Sequence, residues 1–187
     1  MKRLYVLMLS LMLLIACGTM GHQKPAMSYK ETLATWNSYK NVGDWLDRNF
    51  RFDYDRQRYV QERLRREGPT GLLVRNHRRF FESGSGYCAD ATNFAIQTLN
   101  EINPRYNARW VFVLNAQGHP HHWVAAFSHD GRLYIMDYGA GPSWSEMLGI
   151  HGPYDSLGEY LGFLESLNIR GFKADTVYYR DMPGQED

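Results

Sequence analysis

The spacing of apolar residues predicts that the first half of the chain is helical. Apolar residues recur there every three or four positions, which is the period of an α-helix with one buried face. A Ser-Tyr-Lys-Glu capping box at 28–31 predicts the start of a first helix, and longer helices are predicted at 42–50, 56–67 and 90–102. A Gly-Pro pair follows residue 67 and an Asn-Pro pair follows residue 102, so the last two of these helices have a defined end.

The second half of the chain has the pattern of strands. Segments rich in Val, Ile and aromatic residues alternate with Gly, Pro, Asn and Asp, at residues 109–114, 122–127, 132–138 and 172–179. Asp130-Gly131 predicts a hairpin between the second and third strands. Residues 139–153 are predicted to form a loop, and a second capping box at 156–159 is predicted to begin another helix. Helices followed by adjacent strands predict an α+β domain.

Residues 1–17 have the pattern of an export signal. A Lys-Arg pair precedes the apolar run 4–16, which is too short to predict a membrane span. Residues 14–17, Leu-Ile-Ala-Cys, resemble the bacterial lipobox, whose cysteine receives a diacylglyceryl group and becomes the new N-terminus. We therefore expect a lipoprotein signal peptide that ends at a lipidated Cys17. The alternatives are an ordinary secreted protein and an uncleaved anchor.

The expected organisation of the chain follows from this cleavage site. Residues 18–27 are expected to be a polar tether, and residues 28–187 a single domain of ordinary size. The expected location is the bacterial cell envelope, with the lipid in the membrane. In lipoproteins that are sorted to the inner membrane, the residue after the lipidated cysteine is usually Asp, whereas here it is Gly18. The periplasmic face of the outer membrane is therefore favoured in an organism with two membranes.

Charge and composition exclude several classes of partner. The chain has 21 basic and 20 acidic residues, a formal net charge of +1, which gives no electrostatic reason to expect nucleic acid. The basic stretch 75–79 is predicted to be a solvated loop or helix face.

The carboxylates nowhere have the spacing of a calcium loop, and neither a cofactor nor a metal is expected. Aromatic residues make up 14% of the chain, which fits a well-filled core better than a binding groove.

Cys88 has the sequence setting of a nucleophile. It follows the glycine-rich stretch 84–87 and begins the predicted helix, where the helix dipole and unpaired amides favour a thiolate. A neighbouring imidazole can take the thiol proton, and a carboxylate can orient that imidazole. His121 or His122 begins one strand of the predicted hairpin, and Asp137 lies near the far end of the other. Cross-strand pairing is therefore expected to bring imidazole and carboxylate together.

These residues resemble the transglutaminase-like superfamily. Its papain-like core runs from a Gly-x-Cys helix start through a His strand to an Asp strand, and the matching segments here are 86–88, 121–124 and 133–137. The resemblance covers residues 40–140. It implies a papain-like α+β fold with the Cys helix packed on an antiparallel sheet. It also implies a Cys-His-Asp triad acting on a peptide or protein substrate.

The sequence leaves open which histidine is the base. Alternation along a strand points the His121 and His122 rings to opposite faces, so only one can serve. A three-residue hairpin loop with Gly131 in a bulge would place Asp137 with His121, whereas a two-residue turn would place it with His122. The superfamily frequently places its Asp 16 residues after the His, which is the separation of His121 from Asp137. His121 is therefore the preferred base and His122 the alternative.

Each of these positions also has a purely structural interpretation. A lone cysteine in an apolar helix is often an inert core residue, and Asp137 would also suit the turn at a strand end. Asp90 is most simply a helix-start residue. His119, His121 and His122 could together bind zinc, but three histidines so close in sequence, with a proline among them, more often form a polar loop.

Two functions of different classes follow from the sequence. The first is an envelope-anchored cysteine hydrolase that forms a thioester at Cys88, either a peptidase or amidase, or a transamidase. The backbone amide of Cys88 would help to hold the oxyanion, and no second donor is assigned. The second is a lipoprotein that uses the same fold as a binding or adaptor module without turnover, with an aromatic loop at 144–154 as its recognition groove. A lipoprotein in which Cys88 only packs the core is a third, weaker option.

Overall fold

The structure, a computed structural model, describes residues 27–187. The predicted signal peptide over 1–17, the lipid site at Cys17 and all but the last residue of the predicted tether lie outside the described residues. No helix within residues 27–187 combines the length and the hydropathy needed to cross a bilayer.

The described part of the chain contains six α-helices and three short 3₁₀ helices, Gly68–Gly71, Pro104–Tyr106 and Pro142–Met147. The α-helices are α1 (Tyr29–Leu33), α2 (Tyr39–Asn49), α3 (Tyr54–Glu67), α4 (His77–Ser83), α5 (Cys88–Ile102) and α6 (Leu157–Ser166). The capping box predicted at the start of α1 is confirmed, because Ser28 and Glu31 satisfy each other's backbone amides. The capping box predicted for α6 is wrong in detail. Ser156 makes no side-chain cap, and the Glu159 carboxylate instead accepts from the Asp155 amide at 2.9 Å.

Nine strands between residues 27 and 187 form one main sheet and two short parallel pairs. They are β1 (Arg51–Phe52), β2 (Leu73–Val74), β3 (Ser85–Gly86), β4 (Arg109–Asn115), β5 (His122–His129), β6 (Arg132–Asp137), β7 (Gly149–Tyr154), β8 (Ala174–Tyr179) and β9 (Gln185–Glu186). The main sheet is antiparallel throughout, in the order β7-β6-β5-β4-β8. The short pairs are β1 with β3 and β2 with β9. This mixture of helices and an antiparallel sheet confirms the predicted α+β class.

Besides the four two-residue strands, two longer elements were hidden in the sequence. β7 lies at the sheet edge within residues predicted to be a loop, where Gly149, Gly152 and Pro153 interrupt any strand pattern. α4 begins in the basic stretch 75–79, whose polar residues form its exposed first turn while the adjacent Phe80 and Phe81 are buried. Two neighbouring apolar residues show no helical period, so periodicity could not reveal this helix.

The β5–β6 hairpin closes through a two-residue turn. His129 pairs with Arg132, and both Asp130 and Gly131 have positive φ, at 51° and 75°, as a type I′ turn requires. Of the two turns that the sequence left open, the two-residue turn is therefore the one that forms. The shorter turn shifts the register by one residue, and this shift decides which histidine shares a face with the aspartate at the end of β6.

The sheet is buried on both faces. On one face α5 packs against β5, with Phe94 and Leu99 in the same core as Ala125 and Phe127. On the opposite face α6 contributes Tyr160 and Leu164, which pack with Val111 and Val124. The start of α5 is thus held at an end of the sheet, between the main core and the chain that leaves β6.

Gly139 allows the chain after β6 to pass directly against the start of α5. A Cβ at this position would lie 2.5 Å from the Cys88 Cα, a distance that no side chain can adopt. The absence of a side chain therefore permits the approach of the Asp137 segment to Cys88.

Candidate active site

Cys88 is the first residue of α5 and is almost completely buried, with 7% of its surface exposed. It forms no disulfide. The first amides of a helix have no acceptor within the helix, and together with the helix dipole they favour negative charge on a group placed there. The residue predicted as the nucleophile therefore lies at a helix N-terminus, where two cavities meet.

His122 and Asp137 form a buried pair. The His122 Nε2 lies 2.7 Å from the Asp137 Oδ2, and the two residues are only 1% and 2% exposed. The other carboxylate oxygen accepts hydrogen bonds from the amides of Gly139 at 3.1 Å and Ala140 at 3.2 Å. Both oxygens of the carboxylate are engaged, so the orientation of the imidazole ring is fixed.

The second ring nitrogen of His122, Nδ1, does not bind Asp137 and is therefore available to the Cys88 thiol. Burial lowers the pKa of His122, but the Asp137 carboxylate and the neighbouring Cys88 side chain raise it, with a net result of about 10. The imidazole is therefore charged at neutral pH. A charged ring between a carboxylate and a thiol is the arrangement of an activated cysteine nucleophile.

His121 does not meet the carboxylate. Its Nδ1 accepts a hydrogen bond from the Asn115 amide at 3.3 Å, and its ring packs edge-on against Phe112. Burial and the neighbouring charges of His119 and Arg180 lower the pKa of His121. The prediction that Asp137 shares a face with His121 is therefore wrong, because the two-residue turn aligns Asp137 with His122, the alternative named from the sequence.

The three clustered histidines have separate surroundings. His119 lies beside His121, with ring centroids 4.4 Å apart, while His122 is turned to the opposite face and bound to Asp137. Within residues 27–187 no group of three or more His, Cys, Asp and Glu side chains is arranged to hold a metal ion.

Trp144 covers the His122–Asp137 pair, and sequence reasoning missed it. Its ring meets the His122 ring edge-on, at 5.9 Å and 85°, and packs on Phe172 at 4.8 Å. An aromatic layer over a charged pair keeps water out and strengthens the interaction inside. Trp144 lies in a short 3₁₀ helix, Pro142–Met147, within residues that the sequence predicted to be a loop, so no period along the chain distinguishes it.

A second buried charge anchors the start of α5. The Asp90 carboxylate is 0% exposed and accepts from the Arg56 guanidinium at 2.6 and 3.0 Å, from the Arg75 amide at 2.6 Å and from the Tyr87 amide at 3.1 Å. Arg56 also binds the Asp187 carboxylate, at 2.8 and 3.1 Å. Asp90 is thus a helix-start residue, as predicted, but its partners Arg56 on α3 and the Arg75 amide after β2 could not be identified from sequence.

Two cavities meet at Cys88. The larger has a volume of about 390 Å³ and the smaller about 230 Å³. Both are lined by Gln57, Cys88, Pro120 and His121, whereas His122 lines only the smaller one. The site can therefore accept a chain on each side of the thiol.

Comparison with protein families gives one match. Residues 25–145, about two thirds of the chain, match the model of a family described as a transglutaminase-like domain. The matched segment contains Cys88, His122 and Asp137. Among curated proteins, no match to the chain was found.

The charge state of His122 can be tested by NMR titration of the histidine ring nitrogens. We expect His122 to remain protonated until the pH approaches 10, far above the ordinary value of about 6.5, and His121 to titrate below that value. Because the Asp137 charge raises the pKa of His122, the Asp137→Asn variant should titrate at lower pH. The contribution of the His122–Asp137 pair to the free energy of unfolding should be at its full value below about pH 6.5, and it should be lost as the pH rises toward 10.

The His121→Ala variant is the comparison for this titration, since it removes a ring that does not contact Asp137. It should leave the titration of His122 near that of the unmodified protein. A His122 ring that titrates at the ordinary value in the unmodified protein would contradict the assignment of the pair.

Proposed function

The chain belongs to the transglutaminase-like domain family, and from that premise we propose that it is a cysteine hydrolase of amide bonds in peptides or proteins. Cys88 is the nucleophile, His122 the general base and acid, and Asp137 the residue that orients the imidazole. The observation that carries the proposal is the buried His122–Asp137 pair beside Cys88. A buried charged ring is costly unless it has partners, and strongly shifted pKa values in a cleft are characteristic of catalytic groups.

The geometry supports a two-step reaction. The Cys88 thiolate attacks the substrate carbonyl, and the tetrahedral intermediate collapses to a thioester as the His122 imidazolium gives its proton to the departing amine. Water then attacks the thioester and gives a proton to His122. The carboxylic acid product leaves, and the thiolate and imidazolium are restored. A primary amine in place of water would yield a new amide by the same steps.

Two groups are suited to stabilise the oxyanion. The backbone amide of Cys88 is at the helix N-terminus, where it has no acceptor within the helix. Gln57 on α3 lines both cavities at Cys88, and its side-chain amide makes no hydrogen bond to any residue of 27–187. We infer that Gln57 is the second donor, which the sequence alone did not assign.

The location of the enzyme is proposed from the sequence of its leader. Cys17 in a lipobox-like segment would anchor the domain to the cell envelope, at the periplasmic face of the outer membrane where two membranes exist. The short stretch between Cys17 and α1 would keep the site close to the membrane surface. Peptides or proteins of the envelope would then be the accessible substrates.

Turnover by Cys88 is tested with the full chain in detergent and a library of peptides from envelope proteins, with new N-termini read by mass spectrometry. We expect cleavage that falls by at least about a thousandfold in Cys88→Ala and in His122→Ala, since either change removes part of one catalytic unit. His129→Ala is the matched control, because this histidine lies at the other end of β5. Adding a fluorescent primary amine to the same reactions separates transamidation from hydrolysis.

A negative result in that experiment is also informative. If no peptide is cleaved, no amine is incorporated and Cys88 reacts with iodoacetamide no faster than an inert buried thiol, the hydrolase proposal is wrong. The binding or adaptor module would then be the better account of the same fold.

The role of Gln57 is tested by the Gln57→Ala variant. We expect kcat to fall by about a hundredfold to a thousandfold, the usual cost of losing one oxyanion donor, with a small change in KM. Alkylation of Cys88 by iodoacetamide forms no oxyanion, so its rate should not change. A parallel loss of alkylation would show instead that Gln57 only supports the fold, and Arg58→Ala on the exposed side of α3 is the control.

The lipid anchor is tested by growing cells with labelled palmitate. We expect label in the unmodified protein and none in Cys17→Ser, because the thiol is the attachment point. An unlabelled protein recovered in the soluble periplasmic fraction would show an ordinary secreted protein instead.

A further inference from the structure

We propose that the larger cavity beside Cys88 binds the acyl side of the substrate, and that it selects a large aromatic or branched aliphatic side chain and rejects a basic one. This inference rests on the proposed hydrolase function, whose substrate class it narrows. It follows from the position of His122, from the lining of the cavity and from the charge at its rim.

The position of His122 assigns the two cavities to the two halves of the substrate. The imidazolium must reach the departing nitrogen, so the leaving group lies on the side of Cys88 that His122 occupies. His122 lines the smaller cavity and is absent from the lining of the larger one. The part of the substrate that stays on the thioester therefore extends into the larger cavity.

The larger cavity is built to hold apolar groups. Its volume of about 390 Å³ lies within the range of pockets that bind ligands, about 300–1,000 Å³. Helix α3, strands β4 and β5 and the segment before β2 supply its apolar lining, which includes Val60, Leu64, Leu72, Phe112, Leu114 and Trp123. Val60 and Leu72 belong to the packed core, at 1% and 3% exposure, so these walls are fixed before a substrate arrives.

The charge at the rim of the cavity is positive. The Arg180 guanidinium lies over the Phe112 ring at 5.0 Å and the Trp123 ring at 5.7 Å. Arg180 takes part in none of the ion pairs formed within residues 27–187, and no Asp or Glu lines the cavity. A Lys or Arg of the substrate would meet this charge in an apolar surrounding without a carboxylate to pair with.

The test uses acetyl dipeptide chloromethyl ketones, which alkylate a reactive cysteine without a leaving peptide. Phe, Leu, Lys or Gly is placed at either position next to the ketone, and the rate of Cys88 alkylation is measured on the full chain in detergent. At one of the two positions we expect Phe and Leu to react about 10- to 100-fold faster than Gly, as burial of a large apolar side chain predicts. Lys should react no faster than Gly.

Two pairs of variants locate this preference in the cavity. Gln61→Trp fills the cavity from α3 and should abolish the faster reaction of the Phe reagent. Glu62→Trp, on the exposed side of the same helix, should retain it.

Arg180→Glu should raise the rate of alkylation by the Lys reagent at least about tenfold, since the sign of the rim charge is reversed. Arg109→Glu is its control, because Arg109 stacks on Tyr179 at 4.1 Å and does not line the cavity.

Iodoacetamide, which has no side chain to place, separates the two proposals. A fast reaction with iodoacetamide but equal rates for all four residues at both positions would overturn the cavity assignment and leave the hydrolase proposal intact. A preference for Phe that persists in Gln61→Trp, with the variant still folded, would also overturn the assignment. A Cys88 that is inert to every reagent would overturn both proposals.

Discussion

The Asp137 carboxylate is the interaction on which the rest of the site depends. One of its oxygens holds the His122 ring, and the other binds the amides of Gly139 and Ala140. These two amides belong to the segment that passes directly against the Cys88 Cα. A single buried charge thus determines both the orientation of the base and the path of the chain beside the nucleophile. This coupling explains why a carboxylate is retained in an apolar setting, where an unpaired charge would be costly.

The start of α5 needs charge compensation of its own. Asp90 lies two residues after Cys88, and a buried carboxylate so close would by itself oppose a thiolate. Burial raises the pKa of Asp90 overall, and the hydrogen bonds and charge of Arg56 limit that rise. The arginine therefore stabilises the negative charge that caps the helix and reduces its effect on the thiol. The site combines two anionic groups with two cationic ones, Arg56 and the His122 imidazolium, around a single cysteine.

Local patterns gave most of the fold, because its longer elements carry clear periods. The α5 helix, the hairpin and the order of Cys88, a histidine and Asp137 were all visible in the sequence. The choice between His121 and His122 was not, since it depends on one residue in the length of a turn. Arg56 and Gln57 were missed for a different reason. Both reach the site from α3, which precedes the Cys88 helix by many residues, and no local pattern marks such a contact. Trp144 follows Asp137 closely, but it lies in residues without a helical or strand period.

The pairing of β9 with β2 has a consequence for when this site assembles. It brings residues 185–187 beside Val74, and the Asp187 side chain reaches Arg56, which is 131 residues earlier. Contacts between such distant residues incur a large loss of chain entropy before they form, and they tend to form late in folding. The charge network around Asp90 is therefore expected to be completed late in folding, when β9 pairs with β2. The position of Arg56 beside Asp90, and with it the start of α5, thus depends on residues that lie 131 positions apart in the chain.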